Sequence, residues 1–164
     1  MAQSPASIYP PRLAELVETL ALLDRGELID TLIGLADRFS EVPAEIARRP
    51  FPENRKVPAC ESEAYVFPAP RPDGGLDLHF AVENPQGLSA KAMAVILKEN
   101  LEGEDPASYA DLSSELPLEI FGRELSMGKN MGLMAMVAMV AHAARQQTVA
   151  RADVARADVA RAAR

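Results

Sequence analysis

Few of the residue types that build reactive or metal-binding sites occur in this sequence. Its 164 residues include one cysteine, two histidines and no tryptophan, and aromatic residues make up 5%. The single cysteine, Cys60, excludes an internal disulfide, and it excludes a cysteine-built zinc or iron–sulfur site within one chain. A cysteine hydrolase would need a histidine beside the thiol. Only His79 and His142 are available, and we expect both to be surface or packing residues.

Long apolar runs and a surplus of positive charge are also missing. No window holds 18 consecutive apolar residues, and residues 1–7 lack the basic start and apolar run of a signal peptide. The net charge of −7 argues against nucleic acid or an anionic membrane as the main partner. We therefore expect no membrane association, no nucleic-acid binding and a location in the reducing cytoplasm.

The composition predicts one globular domain followed by a low-complexity tail. Hydrophobic residues make up 48% of the chain and charged residues 25%, as in ordinary globular proteins. We place the domain at residues 1–148 and the tail at residues 149–164, a five-residue repeat of valine, alanine, arginine and aspartate. Five residues do not fit the helical period, so the valines form no stripe. The tail is predicted as a solvated, fraying extension of the last helix, with a partner-binding or oligomerising helix as the alternative.

Apolar residues at helical spacing predict four main helices. They cover residues 10–23, 27–39 and 90–101, and the last one begins near Ser126. Ser89 is predicted to cap the third helix. The last helix is rich in methionine, which favours a core helix over a pliable binding surface. The second helix is predicted to bury one stripe, formed by Ile29, Leu32, Ile33, Ala36 and Phe39.

Two strands lie between the second and third helices. Residues 62–67 have the pattern of a strand, and residues 76–82 alternate between apolar and polar side chains. Prolines and the Asp73-Gly74-Gly75 stretch separate the two as a turn. Because a lone hairpin is marginal, helices must cover it. The predicted fold class is α+β, with a small antiparallel sheet of two or three strands packed against helices.

Cys60 lies where a loop enters the first strand. The segment 51–56 is rich in proline and charge, and Pro58 prevents a helix from running through this point. Loops that enter a sheet present side chains well, which suits a thiol that must meet a partner. The alternative is an inert cysteine that packs as a small hydrophobic residue.

The residues around Cys60 resemble the active loop of the SufE family. Further matches follow in the same order: a lysine before a helix of small and aliphatic residues, then a cap, a basic residue and a glycine-leucine step. The resemblance covers roughly residues 10–145. Tyr65 stands where the family has tryptophan, and Lys129 stands where it usually has arginine. The other matching positions are Asn54, Val57, Pro58, Cys60, Ser62, Ala64, Lys91, Ser126, Gly132 and Leu133.

The resemblance implies a SufE/scaffold-type fold and a sulfur-acceptor function. Such a protein takes persulfide sulfur from a PLP-dependent cysteine desulfurase, stimulates that enzyme, and relays the sulfur to an iron–sulfur scaffold. Cys60 would be the covalent persulfide carrier. The chain itself would need no cofactor, since PLP belongs to the desulfurase. It would be an accessory sulfurtransferase rather than an autonomous enzyme. The alternative is a non-catalytic desulfurase-binding or regulatory module with a silent thiol.

Charged residues near Cys60 and on the last helix are candidate partner contacts. Arg55, Lys56 and Lys129 supply positive charge. Glu61 and Glu63 stand where the family has neutral glutamines, and Ala59 replaces its usual glycine. Negative charge disfavours a thiolate, so we expect a slow free thiol that becomes active when a partner's basic surface neutralises the glutamates.

Overall fold

The structure, a computed structural model, describes residues 8–164. The prediction that no signal peptide is present concerns residues 1–7, which lie outside the described residues. Within residues 8–164, five α-helices and two strands follow one another, with short 3-10 turns at Glu53–Arg55 and Pro106–Tyr109. In order, the main elements are α1 (Pro11–Ala21), α2 (Arg25–Asp37), β1 (Ala64–Pro70), β2 (Leu76–Val82), α3 (Leu88–Leu101), α4 (Leu116–Phe121) and α5 (Met127–Ala162).

The two strands form an antiparallel hairpin that the helices cover, which confirms the α+β fold class. Ala64 lies opposite Val82 at one end, and Pro70 lies opposite Leu76 at the other. The second strand lies where predicted, whereas the first begins two residues later and includes Pro68 and Pro70. Prolines are tolerated in a two-stranded sheet because both strands are edges.

Helix α3 lies at the centre of the core. Eight of its fourteen residues are buried, and α1, α2, α5 and β2 all pack against it. Leu101, Ile96 and Leu97 are completely buried. The predicted Ser89 cap is wrong, because the helix begins at Leu88 and has no side-chain cap. The long apolar runs of α3 are therefore explained by neighbours on several sides.

Helix α2 buries only part of the predicted stripe, because Leu32 and Phe39 pack against the core whereas Ile29 and Ile33 do not. A capping box between Asp24 and Glu27 starts the helix at Arg25. Ala36 is buried as predicted, but Ile29 and Ile33 remain 41% and 42% exposed. These two side chains lie in an apolar cleft of about 240 Å³ that α2 forms with the start of α3 and the segment after α4. Helical spacing identifies the apolar face but cannot say how far a neighbouring helix covers it.

Helix α5 begins as predicted and continues through the repeat. The Ser126 hydroxyl accepts a hydrogen bond from the Lys129 backbone N–H at 3.3 Å. Residues 149–164 are all exposed, and the helix continues to Ala162, so the repeat is helical and solvated. The division of the chain at residue 148 stays a prediction. Within residues 8–164, no helix combines the length and the hydropathy that crossing a membrane requires.

Candidate functional site

A backbone hydrogen bond closes the base of the loop that carries Cys60, which we call the Cys60 loop (residues 57–64). The Val57 N–H donates to the Ala64 carbonyl oxygen at 2.8 Å, and Lys56 and Tyr65 pair just below it. Val57 and Ala64 are both buried. Six residues therefore form the tip of the loop, and Cys60 lies in the middle of that tip.

An aromatic cluster fixes the chain that leads into the Cys60 loop. The ring of Phe51 lies 5.1 Å from the Tyr65 ring and 5.3 Å from the Phe67 ring, between centroids, so it packs on the face of β1. The Arg49 guanidinium lies 4.8 Å from the Phe51 centroid. Aromatic and cation–π contacts of this kind add to the hydrophobic burial. The segment that precedes Cys60 therefore packs on the strand that follows it, and this packing fixes the base of the loop.

Two residues of the tip have left-handed backbone angles without being glycine. Ala59 has φ 54° and Glu63 has φ 50°. Such values are uncommon for residues with a side chain. Hydrogen bonds hold the turn, since Glu63 N–H donates to the Cys60 carbonyl at 3.1 Å and Asn84 N–H donates to the Ser62 carbonyl at 3.2 Å. The glycine that the family usually has at position 59 would adopt this angle without strain.

Two glycines of α5 lie directly under the Cys60 loop. A methyl group added at Gly132 would lie 2.9 Å from Cys60 Cα and 3.2 Å from the Ala59 carbonyl oxygen. One helical turn earlier, a methyl group on Gly128 would lie 2.7 Å from a Glu61 carboxylate oxygen. The loop therefore rests on a strip of helix that has no side chains.

The Cys60 thiol is free and half-buried. Its side chain packs against the main hydrophobic core. On the other side it borders an open depression of about 530 Å³, whose lining also includes Glu53, Lys56, Pro58 and Glu61. One flank of the cysteine is therefore sheltered by the protein, and the other flank faces a space that a partner could enter.

The structure brings some of the predicted contact residues together and separates others. Lys56 and Glu61 line the depression beside Cys60, and Lys56 Nζ lies 3.9 Å from Glu63 Oε1. Arg55 lines a separate apolar groove of about 330 Å³ on the far side of Pro58. Lys129 is exposed in the first turn of α5, next to the Gly128 that meets Glu61. These placements leave the roles of all five charged residues as predictions.

Neither histidine is placed to activate Cys60. His79 lies opposite Phe67 in the hairpin, where burial, followed by the charge of Lys98, lowers the pKa of its imidazole. His142 is ten residues beyond Gly132 on α5, about 15 Å further along the axis, and it lines the groove on the far side of Pro58 rather than the depression beside Cys60. Within residues 8–164, neither ring forms a hydrogen bond with the thiol. In the same part of the chain, no group of three or more His, Cys, Asp or Glu side chains could hold a metal ion.

Exposed methionines beside the loop were missed by the sequence reasoning, as was the contact between the loop and α5. Met127 is 81% exposed and Met131 is 52% exposed, although the methionine-rich helix was predicted as a core helix. Both are one residue before a glycine that contacts the loop. The i, i+4 spacing of Gly128 and Gly132 was a signal for the contact, since it puts both on one helix face.

The fold, and the position of Cys60 on a loop that packs against two glycines of α5, can now be compared with known proteins. The chain belongs to the SufE family, described as an Fe-S metabolism associated domain, which matches residues 14–144. The solution structure of a hypothetical protein from Thermus thermophilus is similar in fold. It has a TM-score of 0.68 and 23% identity, over 86% of this chain and 98% of that chain. No curated protein gives a match. The protein is thus associated with iron–sulfur metabolism.

Proposed function

We propose that the protein is a persulfide carrier that accepts sulfur from a cysteine desulfurase on Cys60. The observation that carries the proposal is the position of the only thiol, at the tip of a loop whose base is fixed by the hairpin and by aromatic packing. In the transfer, the Cys60 thiolate attacks the outer sulfur of the donor's cysteine persulfide. The new S–S bond forms on Cys60 as the donor's S–S bond breaks, and the donor cysteine leaves as a thiolate. No oxidant or reductant is consumed.

The surroundings of Cys60 suit a carrier that depends on its partner for chemistry. No histidine within the described residues activates the thiol, so proton transfer is left to the desulfurase site, where PLP would also reside. The loaded persulfide keeps the sheltered flank of Cys60, which limits its contact with water. The recipient that fits the family's association with iron–sulfur metabolism is a cluster-assembly scaffold.

The docking surface for the desulfurase is proposed to surround the loop. Sulfur transfer requires the two sulfur atoms to approach to bonding distance, so a protein donor must cover the surface next to Cys60. Met127 and Met131 are proposed to provide exposed apolar area there, and Lys129 and Lys56 positive charge. Arg55 adds positive charge from the neighbouring groove beyond Pro58. Interfaces commonly combine an apolar centre with a charged rim.

The half-burial of Cys60 favours one competing function. A thiol that packs against the core could be silent, and the protein would then be a non-catalytic module that binds and regulates a desulfurase. Both functions need the same docking surface, but only the carrier needs the sulfur atom of Cys60.

Intact-mass measurement separates the two functions. The protein is incubated with a PLP-dependent cysteine desulfurase of its own organism and with cysteine, in parallel with the Cys60→Ser variant. The carrier function predicts a thiol-reversible gain of one sulfur atom in the wild type only, together with loss of desulfurase stimulation in the variant. Circular dichroism should show an unchanged fold, because serine is close to cysteine in size. Full stimulation by Cys60→Ser would support the silent module instead.

A further inference from the structure

We propose that Gly132 is the positioning residue of Cys60. Because Gly132 has no side chain, the tip of the Cys60 loop packs directly on its backbone. We call this contact between Gly132 and the loop backbone the loop seat, and it keeps the thiol half-covered. The inference deepens the proposed function, on which its meaning for sulfur transfer rests. The contact itself is a property of the isolated protein and can be tested without a desulfurase.

The contact at Gly132 differs in kind from those of the other helical glycines. A methyl group there would meet two backbone atoms, the Cys60 Cα at 2.9 Å and the Ala59 carbonyl oxygen at 3.2 Å, and also the Cys60 Cβ at 3.2 Å. At Gly128 the nearest atom is the far end of the flexible Glu61 side chain. At Gly34, in the middle of α2, nothing lies within 4 Å. Among the glycines within the helices, only Gly132 therefore lies against the backbone of the Cys60 loop.

The loop, rather than the helix, would yield to a side chain at position 132. The next residues of α5 are anchored in the core, since Leu133, Met136 and Val137 are at most 2% exposed. Ala59, by contrast, is exposed at the tip of the loop. Restoring an ordinary contact of 3.4–4 Å from 2.9 Å moves the tip outward by roughly 0.5 to 1 Å. That movement lifts Cys60 away from the core face that now shelters it.

The reactivity of Cys60 toward a small reagent reports its position directly. Alkylation requires the reagent to reach the sulfur, so a thiol that is lifted from its seat reacts faster at a fixed pH. A purely structural glycine would lower the melting temperature when replaced, but it would leave the alkylation rate of the folded protein unchanged. The rate therefore distinguishes positioning from simple packing.

The test measures iodoacetamide alkylation of the full chain at neutral pH, without denaturant or desulfurase. Gly132→Ala is expected to react about fivefold faster than the wild type, because its thiol is less covered. Two matched variants, Gly128→Ala and Gly34→Ala, also add one methyl group to a helix. Both should stay within about twofold of the wild-type rate, since neither displaces the loop backbone.

A further control separates local lifting from general loss of stability. Leu20→Ala opens a cavity in α1, a helix that packs against α3 and α4, and it should lower the melting temperature at least as much as Gly132→Ala. Its alkylation rate should nevertheless remain at the wild-type value. An equal acceleration in Leu20→Ala or in Gly128→Ala would overturn the proposal, as would an unchanged rate in folded Gly132→Ala.

If Gly132→Ala does not fold, the wild type still offers a result that can refute the proposal. The seat predicts that native Cys60 reacts about fivefold more slowly than the same chain unfolded in urea, where the cysteine is uncovered. Equal rates in the native and the unfolded chain would show that the folded protein does not cover the thiol, which would refute the proposal. Neither result depends on persulfide loading, which is tested separately with Cys60→Ser.

Discussion

The two halves of α5 have the same backbone conformation but different environments. In the first half, Leu133, Met136, Val137 and Val140 are buried, and the glycine strip carries the Cys60 loop. In the second half, residues 149–164 are exposed on every side. One continuous helix therefore contains a segment that positions the candidate site and a segment that touches little else.

Different forces hold the two halves in a helix. Burial of apolar side chains stabilises the first half. In the second half, the alanine content and the pairs Asp153–Arg156 and Asp158–Arg161 favour a helix locally. Arg151 marks the junction, since its guanidinium lies 2.7 Å from Asp105. A helical assignment by itself thus says nothing about whether a segment takes part in the core or in function.

Replacing the exposed methionines of the first half should have the largest effect. Met127→Glu/Met131→Glu removes apolar area beside the Cys60 loop, and we expect desulfurase binding to weaken about tenfold, or 1.4 kcal/mol. Iodoacetamide alkylation of Cys60 should not change, because the loop seat is intact. The measurement is the concentration of this protein that gives half-maximal desulfurase stimulation.

A charge-matched variant of the second half is the control for the methionines. Val154→Glu/Val159→Glu adds the same two negative charges to exposed positions of the same helix, and it should bind the desulfurase like the wild type. If both double variants lose the same affinity, general charge repulsion accounts for the loss. The two halves of α5 would then not differ in docking.

Neutralising the glutamates of the loop should have an intermediate effect. Negative charge disfavours a thiolate, so Glu61→Gln/Glu63→Gln should be alkylated faster at neutral pH. The gain should be only about two- to threefold, because Glu63 lies near Lys56 and Glu61 rests on the first turn of α5, where the helix dipole is favourable.

The control for this charge change lies on α1. Glu15→Gln/Glu18→Gln removes the same two charges from exposed positions of a helix that packs elsewhere, and its alkylation rate should match the wild type. Superimposable rate–pH profiles for the loop variant and the wild type would contradict the idea that partner docking activates the thiol by neutralising Glu61 and Glu63.

Deleting the second half of α5 should have the smallest effect. Removal of residues 149–164 eliminates the Arg151–Asp105 pair but little buried area, so the melting temperature should fall by no more than about 3 °C. Deletion of residues 153–164 leaves that pair in place and should change nothing measurable by thermal denaturation. A larger loss, or a change of mass in light scattering, would show that the tail packs on something.

Local sequence signals predicted the elements that frame the site. The alternation of residues 76–82 identified β2, Ser126 marked the start of α5, and Pro58 kept the cysteine out of any helix. Each of these features depends on neighbours within a few positions, which a sequence displays directly. The resemblance also predicted that the chain belongs to the SufE family, and the family match over residues 14–144 confirms this prediction.

Contacts between distant segments could not be predicted in the same way. The meeting of Cys60 with Gly132 joins positions that are 72 residues apart, and it depends on how α5 lies against the hairpin. The exposure of Ile29 and Ile33 likewise depends on how much of α2 its neighbours cover. Alanine and glutamate disfavour left-handed backbone angles, so the sequence gives no sign of the positive φ values of Ala59 and Glu63. These angles follow from the closure of the loop between Val57 and Ala64.

The bond that closes the loop between Val57 and Ala64 also sets the length of a tether. Cys60 is three residues from Val57, and an extended chain spans at most about 3.6 Å per residue, so the cysteine backbone can travel roughly 11 Å from that anchor. A donor whose persulfide lies at the bottom of a deeper channel could not be reached by this loop alone. Any enzyme that loads Cys60 must therefore offer its sulfur in a shallow site, or on a mobile arm of its own that supplies the missing distance.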